Sequence, residues 1–318
     1  MQMMDTSINK TDNWTCVNFE INPVNDLLMS IYIITLILGI IFNLLTAWPI
    51  VQQIRNKNVL GVYLLSLSVS DLLYILTMPM WIYYYHHDHK WTFSKGLCKL
   101  AGFFYYSNMY ISICLLCCIS IDRCFVVTFP MRAKIFHRFR YAWIICGLVY
   151  ILVMGLHILV LHMESLTEPL DQQRCYETYP MTKYVALFNF LRVAIGFLLP
   201  LLVLAVCYYQ ILNKVQEIRG LDVQGKHKIK LLSVGVIAIF AICFAPYHIL
   251  LLLRSIAFNR MDRKHYCSFE QALHIYFSCT LALSSINSAV DPLLYVLVSR
   301  SARENMKWCC VGKQAEQS

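Results

Sequence analysis

Charged side chains are scarce in this sequence, and hydrophobic side chains are abundant. Asp, Glu, Lys and Arg make up 14% of the 318 residues, hydrophobic residues make up 58%, and the mean hydropathy is +0.56. A single water-soluble core cannot bury that much apolar surface. The composition therefore excludes an ordinary soluble globular protein and indicates a membrane protein.

The motifs that mark common enzyme classes are missing as well. The sequence contains no glycine-rich phosphate-binding loop, no His-Glu-x-x-His zinc motif and no credible pairing of a nucleophile with a base. No loop is long enough to bury a core of its own. We therefore expect no enzymatic activity and no organic cofactor, and we expect a cytosolic face that serves as a docking surface.

The apolar residues gather in seven segments, and a helical membrane span needs about 20 such residues. The segments are 27–51, 59–84, 97–127, 142–161, 184–211, 229–256 and 272–298. Strands of a membrane barrel would be half as long and would alternate in polarity. The sequence therefore predicts an all-α membrane protein, a seven-transmembrane helix bundle over residues 27–298. A short amphipathic cytosolic helix and tail are expected over 299–318.

Lysine and arginine concentrate in alternate loops, which indicates the orientation of the bundle. Arg55 and Lys57 follow the first segment, and further basic residues follow the third, fifth and seventh segments. Cytoplasmic loops are enriched in these residues. We therefore expect a multi-pass plasma-membrane protein whose residues 1–26 form an extracellular tail. The net charge of +9 is explained by this topology, so no nucleic-acid partner is expected.

Four cysteines lie on the predicted exterior, where the environment is oxidising. Cys98 precedes the third segment, and Cys175 lies in the loop after the fourth segment. Cys16 lies in the tail, and Cys267 precedes the seventh segment. Disulfides form in such compartments. The sequence predicts the pairs Cys98–Cys175 and Cys16–Cys267.

Two further patterns predict covalent modification outside the spans. Asn9 and Asn13 each begin an Asn-x-Thr sequence in the extracellular tail, which is a glycan acceptor pattern. Cys309 and Cys310 follow a basic amphipathic run on the cytosolic side. Juxtamembrane cysteines of this kind are candidate palmitoylation sites.

Several oxygen-bearing side chains fall at bilayer depth, where a carboxylate is costly and usually functional. Asn108 and Ser112 are one helical turn apart, as are Asn287 and Asp291, and Asp71 lies within the second segment. Hard oxygen ligands of this kind suit a monovalent cation such as sodium at Asp71, or a shared proton. Structural hydrogen bonding between the helices is the competing interpretation.

A set of motifs in sequence order resembles the rhodopsin-like, or class A, G protein-coupled receptors over nearly the whole chain. The set comprises Asn43, residues 67–71, Cys98, Asp122-Arg123, Trp143, Cys175, Pro200, Tyr208, residues 240–246, and residues 291–295. Each motif alone is weak, but the ordered set on seven spans is highly specific. The resemblance implies heterotrimeric G proteins as partners, with arrestin as a further partner.

The same resemblance implies an activation switch on the cytosolic side. Arg123 would be the switch arginine, which Asp122 restrains at rest and towards which Tyr208 and Tyr295 swing on activation. Phe240 would belong to the packing switch in the core. The residues assigned to the switch are Asp122, Arg123, Tyr208, Phe240, Pro246, Pro292 and Tyr295.

Narrower motifs resemble the proton-sensing and lysolipid receptor subfamily. These are residues 61–64, Trp81, residues 116–120, residues 243–248 and residues 291–295. Two departures concern acid sensing. Cys146 stands where strong proton sensors carry an acid, and Ser278 stands where they carry a histidine. We therefore expect a lipid rather than protons to be the main agonist.

Arg192 is unusual because it lies inside an apolar span, two turns before Pro200. A guanidinium that faces a pocket needs an anion, and a carboxylate or phosphate binds it bidentately. We expect an anionic lipid, an oxidised fatty acid or a lysolipid, with its head on Arg192. The residues assigned to ligand binding are Arg192, Arg254, Tyr105, Tyr106, Tyr110, Phe244 and His248. An internal ion pair of Arg192 is the competing interpretation.

Two other functions remain open from the sequence. The receptor could be predominantly a proton sensor that uses extracellular histidines and buried acids, since histidine titrates near neutral pH. The candidates are His86, His87, His89, Asp71 and Asp291. A transporter or channel is a remote alternative, because such proteins tend to show internal repeats or broken half-helices and neither is visible here.

Overall fold

The computed structural model describes residues 24–129, 138–165, 175, 181–217 and 223–298. Within these ranges seven helices are long and apolar enough to cross a membrane, which confirms the predicted helix bundle. We label the spans α1 (Asn25–Arg55), α2 (Val59–His86), α3 (Lys95–Thr128), α4 (Phe139–His162), α5 (Lys183–Val215), α6 (Ser233–Arg260) and α7 (Arg263–Leu293). The helical backbone also extends from α4 to Ser165, from α5 to Glu217 and from α7 to Val298, and α6 is preceded by helix from Val223.

Prolines interrupt the regular winding of two helices. In α5 a π-helical turn, Ala194–Leu198, comes just before Pro200, and in α6 another, Phe240–Phe244, comes just before Pro246. Proline lacks the N–H that would bond to the carbonyl four residues earlier, and its ring crowds that carbonyl. The preceding turn widens as a result, and such widened turns are frequent at functional sites.

Two other helices are broken without a π-helical turn. In α2 two residues separate the helix Val59–Ile75 from the helix Met78–His86. Pro79 lies in the first turn of the second of these helices. In α7 the helix Arg263–Ser285 is separated from Asn287–Val298 at Ile286.

Polar side chains cap the starts of three helices and so fix where these helices begin. Asn58 accepts a hydrogen bond from the Leu60 amide at 3.0 Å. Ser94 and Thr182 accept from amides three residues later, each at 3.3 Å. An N-cap satisfies an amide that has no partner inside the helix. These caps lie at the starts of α2, α3 and α5.

The helices differ greatly in how much of their apolar surface the bundle buries. The most apolar window of α2 is 72% buried, whereas that of α4 is only 17% buried. Residues such as Ile151 and Leu152 are exposed on α4. Large apolar side chains on this scale need a non-aqueous surrounding. We conclude that α2 lies in the centre of the bundle and that α4 faces lipid.

Buried polar side chains link helices that are distant in sequence. The Asn43 amide donates to the Ser288 carbonyl at 3.0 Å, which joins α1 to α7. The Tyr150 hydroxyl donates to the Ser66 carbonyl at 2.6 Å, which joins α4 to α2. Such bonds hold membrane helices together where burial alone gives little driving force.

Several predicted features lie outside the described residues. They are the extracellular tail with Asn9, Asn13 and Cys16, and the amphipathic cytosolic helix with Cys309 and Cys310. For Tyr295 only the backbone is described. These features stay predictions.

Candidate functional site

An aromatic cavity lies in the outer half of the bundle. It encloses about 560 Å³, a volume that includes space open to solvent. Its walls come from α1, α2, α3, α6 and α7 together with Cys175, and are made of Tyr32, Trp81, Tyr84, Tyr85, Tyr105, Tyr106, Cys175, Arg254, His274, Phe277, Ser278 and Leu281. A concave, mostly apolar space with a few polar groups is typical of a small-molecule site.

A disulfide closes one wall of this cavity. Cys98, in the first turn of α3, is bonded to Cys175, which confirms the predicted pair. The amide of Cys175 also donates to the Tyr84 hydroxyl at 3.4 Å, so the loop residue is tied to α2 as well. Cys267 is disulfide-bonded too, but Cys16, its predicted partner, lies outside the described residues.

Arg254 forms a buried ion pair. Its guanidinium lies 2.8 Å from a carboxylate oxygen of Glu270 and donates two further hydrogen bonds to that carboxylate at 3.0 Å. The Tyr266 hydroxyl donates to the same carboxylate at 2.7 Å. Glu270 thus neutralises the charge of Arg254, and Arg254 also lines the cavity.

Arg192 has a different surrounding from Arg254. Its guanidinium carbon lies 4.9 Å from the ring centre of Tyr106 and 4.7 Å from that of Phe188. Such cation–π contacts are favourable when partly desolvated. The Tyr247 side chain lies within electrostatic reach of both Arg192 and Arg254. Tyr106 also lines the cavity, so Arg192 lies at the α5 side of that space.

Three of the predicted ligand residues lie together, but not on the cavity wall. The Tyr110 hydroxyl is 3.2 Å from the Nε2 atom of His248, and Phe244 is fully buried. Phe197, from the widened turn of α5, stacks on the His248 ring at 4.6 Å. A Cβ atom at Gly196 would lie 2.5 Å from the Tyr110 ring, so this close approach of α5 to α3 requires glycine.

The predicted ligand residues therefore divide into two groups. Tyr105, Tyr106 and Arg254 line the cavity, whereas Tyr110, Phe244 and His248 form a packed layer among α3, α5 and α6. This layer is in line with a role in transmission between the cavity and the cytosolic side.

The predicted oxygen cage is assembled in the core. The Asn108 amide donates to Asp71 at 2.8 Å and to Ser70 at 3.2 Å, and the Asn287 amide donates to Ser112 at 3.1 Å. Both oxygens of Asp291 and one of Asp71 are buried without a hydrogen-bond donor among the described residues. Orphaned carboxylate oxygens at this depth need a cation or a proton.

The predicted switch residues Asp122, Arg123 and Tyr208 lie at the cytosolic end of the bundle. The Arg123 Nε atom is 4.0 Å from Asp122, a long contact for an ion pair. The Tyr208 hydroxyl lies 2.7 Å from the Ser120 hydroxyl, so it is engaged with α3 one turn before Cys124. The thiol of Cys124, which follows the Asp-Arg pair, donates to the side-chain oxygen Oε1 of Gln210 at 3.1 Å.

The packing switch is present above this region. Phe240, in the widened turn of α6, stacks on Phe197 of α5 at 5.2 Å and contacts Phe244 at 5.7 Å. Pro292 is buried in α7, and Pro246 is half-buried in α6. The two widened turns of α5 and α6 therefore meet through aromatic rings.

The three predicted exterior histidines do not form one exposed cluster. His86 is exposed and His87 stacks on Tyr83 at 3.9 Å, whereas His89 is buried with its Nε2 atom 3.1 Å from the Asn25 side chain. The His89 ring lies 5.6 Å from that of His274, a cavity residue. The prediction of a cluster is therefore corrected to an inward-facing His89–His274 pair.

Some important residues were not predicted from the sequence. Glu270 and Tyr266 are one turn apart on α7, and that spacing is the only signal for their shared contact with Arg254. His157 is another such residue: it is buried, and its ring lies 5.5 Å from that of Tyr110. Trp81 drew attention only as part of a motif, yet it lines the cavity.

This combination of features defines a class of protein. A bundle of seven membrane helices with an exterior disulfide, an aromatic cavity in its outer half and an Asp-Arg pair at its inner end is the architecture of a seven-helix cell-surface receptor. The family described as 7 transmembrane receptor (rhodopsin family) matches residues 42–295, and the chain belongs to that family. The protein is therefore a multi-pass receptor of the plasma membrane, and heterotrimeric G proteins are its partners.

Curated relatives cover most of the chain. Human Probable G-protein coupled receptor 132 is 34% identical over 92% of this chain and 76% of its own length. Human G-protein coupled receptor 65 is 31% identical over 92% of this chain and 89% of its own length. Bovine G-protein coupled receptor 68 is 34% identical over 94% of this chain and 82% of its own length. These matches confirm the resemblance stated from the motifs.

Proposed function

We propose that this receptor is activated by an anionic lipid, an oxidised fatty acid or a lysolipid, bound in the outer half of the bundle. One observation supports this most directly: the Arg192 guanidinium rests on the ring of Tyr106, and the same ring lines the aromatic cavity. A cation and an apolar space are thus adjacent. An amphiphile with an anionic head fits such a pair of neighbouring features.

The position of Arg192 supports it as the anchor. Its guanidinium lies over the rings of Tyr106 and Phe188, at the α5 side of the cavity. A carboxylate or phosphate would bind the guanidinium through two parallel hydrogen bonds, and the lipid chain would lie along the aromatic walls.

The signal would pass from Arg192 along α5. Arg192 lies just before the widened turn Ala194–Leu198, and Phe197 in that turn stacks on Phe240 of α6. A shift of this stack would change the relative positions of α5 and α6. Their cytosolic ends would then release Tyr208 from Ser120 and open a surface for the G protein, and arrestin would use the same surface.

A sodium ion fits the cage around Asp71 in the resting receptor. Asp71, Asp291 and Ser112 provide hard oxygens, and the orphaned carboxylate oxygens would gain a partner. The ion would offset the mutual repulsion of the two carboxylates. Asn108 and Asn287 would hold the cage in shape through their hydrogen bonds to Asp71 and Ser112.

The anchor is tested by replacing Arg192. We expect Arg192→Ala to lower lipid potency in a G protein nucleotide-exchange assay by about 30-fold or more, because a hydrogen bond to a charged group is worth about 1.5–3 kcal/mol. Arg192→Lys keeps the charge without the bidentate geometry and is expected to lose less. Arg260→Ala removes the same charge from the exposed end of α6 and serves as the matched control. Unchanged potency for Arg192→Ala at normal surface expression would rule out this anchor.

Protons are the second candidate agonist, and the His89–His274 pair supports them. The two rings are 5.6 Å apart. Tyr84, Tyr85 and Asn25 surround His89. The residue before His89, Asp88, is exposed. Acid would charge both imidazoles, and their repulsion would separate the outer ends of α2 and α7. We expect His274→Phe to flatten any acid response while lipid responses persist. A flat wild-type response across mildly acidic medium would remove this candidate.

A further inference from the structure

The cytosolic end of α1 brings a tryptophan and an arginine together on the side of the helix that points away from the bundle. Trp48 is 60% exposed, Arg55 is exposed as well, and the guanidinium carbon of Arg55 lies 5.8 Å from the centre of the Trp48 ring. Residues seven apart lie on the same side of an α-helix. A cation–π contact of this kind positions a guanidinium and leaves its N–H groups available to an anion.

The same side of α1 carries an apolar stripe. Ile37, Ile41 and Leu44 are all exposed, and they precede Trp48 at successive spacings of four, three and four residues. Large apolar side chains that the bundle leaves uncovered need a non-aqueous surrounding, which in a membrane protein is the acyl chains of the lipids. The stripe therefore follows the hydrocarbon region towards the cytosol. It leads to Trp48, about two turns before the end of the helix, and then to Arg55.

The backbone at the end of α1 does not use Arg55 as a cap. A basic side chain near a helix C-terminus often bonds to the last carbonyls. Here backbone amides close the last turn instead, through hydrogen bonds of 2.9–3.1 Å from Asn56, Lys57 and Asn58 to the carbonyls of Gln52, Ile54 and Gln53 respectively. The left-handed backbone of Lys57, with φ of 53°, belongs to this closure. The Arg55 side chain is thus directed to Trp48 and not to the helix end.

Within the part of the chain that the structure describes, no carboxylate balances the charge at this end of α1. Neither Arg55 nor Lys57 forms an ion pair there, and Lys57 is exposed like Arg55. Two cations at the end of a lipid-facing stripe therefore draw their counter-charge from outside the bundle. The cytoplasmic leaflet contains anionic phospholipids, and a phosphate binds a guanidinium through two parallel hydrogen bonds.

We propose that the cytosolic end of α1 binds an anionic phospholipid of the inner leaflet, with its headgroup on Arg55 and Lys57 and an acyl chain along the stripe. Trp48 would lie at the junction of headgroup and chain, where tryptophan is enriched in membrane proteins. The site would prefer phosphatidylserine to phosphatidylcholine, because the choline cation offsets the phosphate charge. This site is separate from the outer cavity and does not depend on the proposed agonist.

The test follows the fluorescence of Trp48 in nanodiscs of phosphatidylcholine that contain a lipid with brominated acyl chains, since bromine quenches a tryptophan that it contacts. Subtracting the spectrum of the matching Trp48→Phe receptor isolates the signal of Trp48. Brominated phosphatidylserine and brominated phosphatidylcholine are titrated separately. We expect the serine lipid to reach half-maximal quenching at a mole fraction about fivefold lower or more, the preference that one basic side chain near an anionic surface provides.

Arg140 offers a matched control. It is exposed at the cytosolic end of α4, so Arg140→Ala removes the same charge from the same face of the bundle. Arg55→Ala is expected to lower the preference for the serine lipid to about twofold or less, whereas Arg140→Ala should keep it. Arg55→Lys retains the charge and should retain most of the preference.

Three results would overturn the site. Equal quenching by the two lipids in wild type would mean that Trp48 and Arg55 only anchor α1 at the membrane surface. A preference that persists in Arg55→Ala would remove the arginine from the site. A preference that falls equally in Arg55→Ala and Arg140→Ala would assign it to the general positive charge of the inner face. None of these results bears on the Arg192 anchor, which is tested by agonist potency.

Discussion

The bundle contains two buried polar regions that handle charge in opposite ways. In the outer region Arg254 and Glu270 carry opposite charges and bind each other directly, with Tyr266 completing the hydrogen bonds of the carboxylate. In the inner region Asp71 and Asp291 carry like charges and lie within electrostatic reach of each other. Carboxylate oxygens of both residues are buried without a donor among the described residues.

The difference indicates what each region requires from outside the chain. A buried pair of opposite charges that is fully hydrogen-bonded is self-sufficient, and it is rigid because losing either partner is costly. Two buried carboxylates are incomplete without a cation or a proton. We therefore expect the outer region to provide a fixed frame for the cavity, and we propose that the inner region responds to ions.

The largest expected effect comes from breaking the outer pair. Glu270→Ala leaves the Arg254 guanidinium buried without its counter-charge, and such a change typically costs about 3–5 kcal/mol. We expect loss of most surface expression and a fall in the melting temperature of the purified receptor. The measurement is cell-surface labelling together with a thermal unfolding curve.

The double variant Arg254→Leu with Glu270→Leu provides the control. It removes both charges and leaves none unpaired, so it should recover most of the lost stability. If Glu270→Ala were as stable as wild type, the outer region would not be the rigid frame described above. If the double variant were as unstable as the single one, packing rather than charge would explain the loss.

A smaller effect is expected in the inner region, where occupancy by sodium should stabilise the resting receptor. At a sodium concentration about ten times the dissociation constant, binding adds about 1.4 kcal/mol. We expect the melting temperature of wild type to rise when sodium replaces choline at constant ionic strength. Asp71→Asn keeps the size of the side chain but removes one charge, and it should abolish the rise.

The contrast between the two regions predicts the control for the sodium experiment. The Arg254 and Glu270 double variant should keep the full sodium response, because its charges lie in the outer region. A sodium response that is equal in wild type and Asp71→Asn would show that the inner acids do not bind the ion. The inner region would then be a hydrogen-bonded core, the competing interpretation of its sequence pattern.

The sequence predicted the inner region better than the outer one, for a physical reason. Charged and amide side chains inside an apolar span stand out, and a spacing of four residues puts Asn108 with Ser112, and Asn287 with Asp291, on common helix faces. The structure brings these residues together. The seven spans were equally clear, because their length and apolar composition leave no other fold.

The outer region depends on contacts between residues far apart in the chain. The partner of Arg254, Glu270, follows in another helix, and no local pattern in the sequence links the two. The inward direction of His89 follows from left-handed backbone angles at Asp88 and His89, which the sequence does not reveal. Pairings across helices and side-chain directions at turns therefore required the structure.

The smallest expected effect concerns Asp262, which is exposed, whereas Arg254 and Glu270 form a buried pair. Asp262 precedes α7 and accepts a hydrogen bond from His265, and this bond is the main reason that the pKa of the Asp262 carboxyl is lowered. A lowered pKa in the folded state contributes stability above the ordinary pKa of aspartate, near ~4, and that stability is lost as the pH falls through the folded value. Asp262 therefore stays ionised throughout mildly acidic medium.

Asp262→Asn should accordingly leave the acid response between pH ~6 and ~8 and the melting temperature unchanged, since exposed pairs contribute little. Nucleotide exchange measured against pH, with His274→Phe in parallel, checks this expectation. A marked shift of the acid response in Asp262→Asn would mean that an exposed pair acts on the receptor as strongly as a buried one. The distinction drawn between buried and solvated charges in this bundle would then fail.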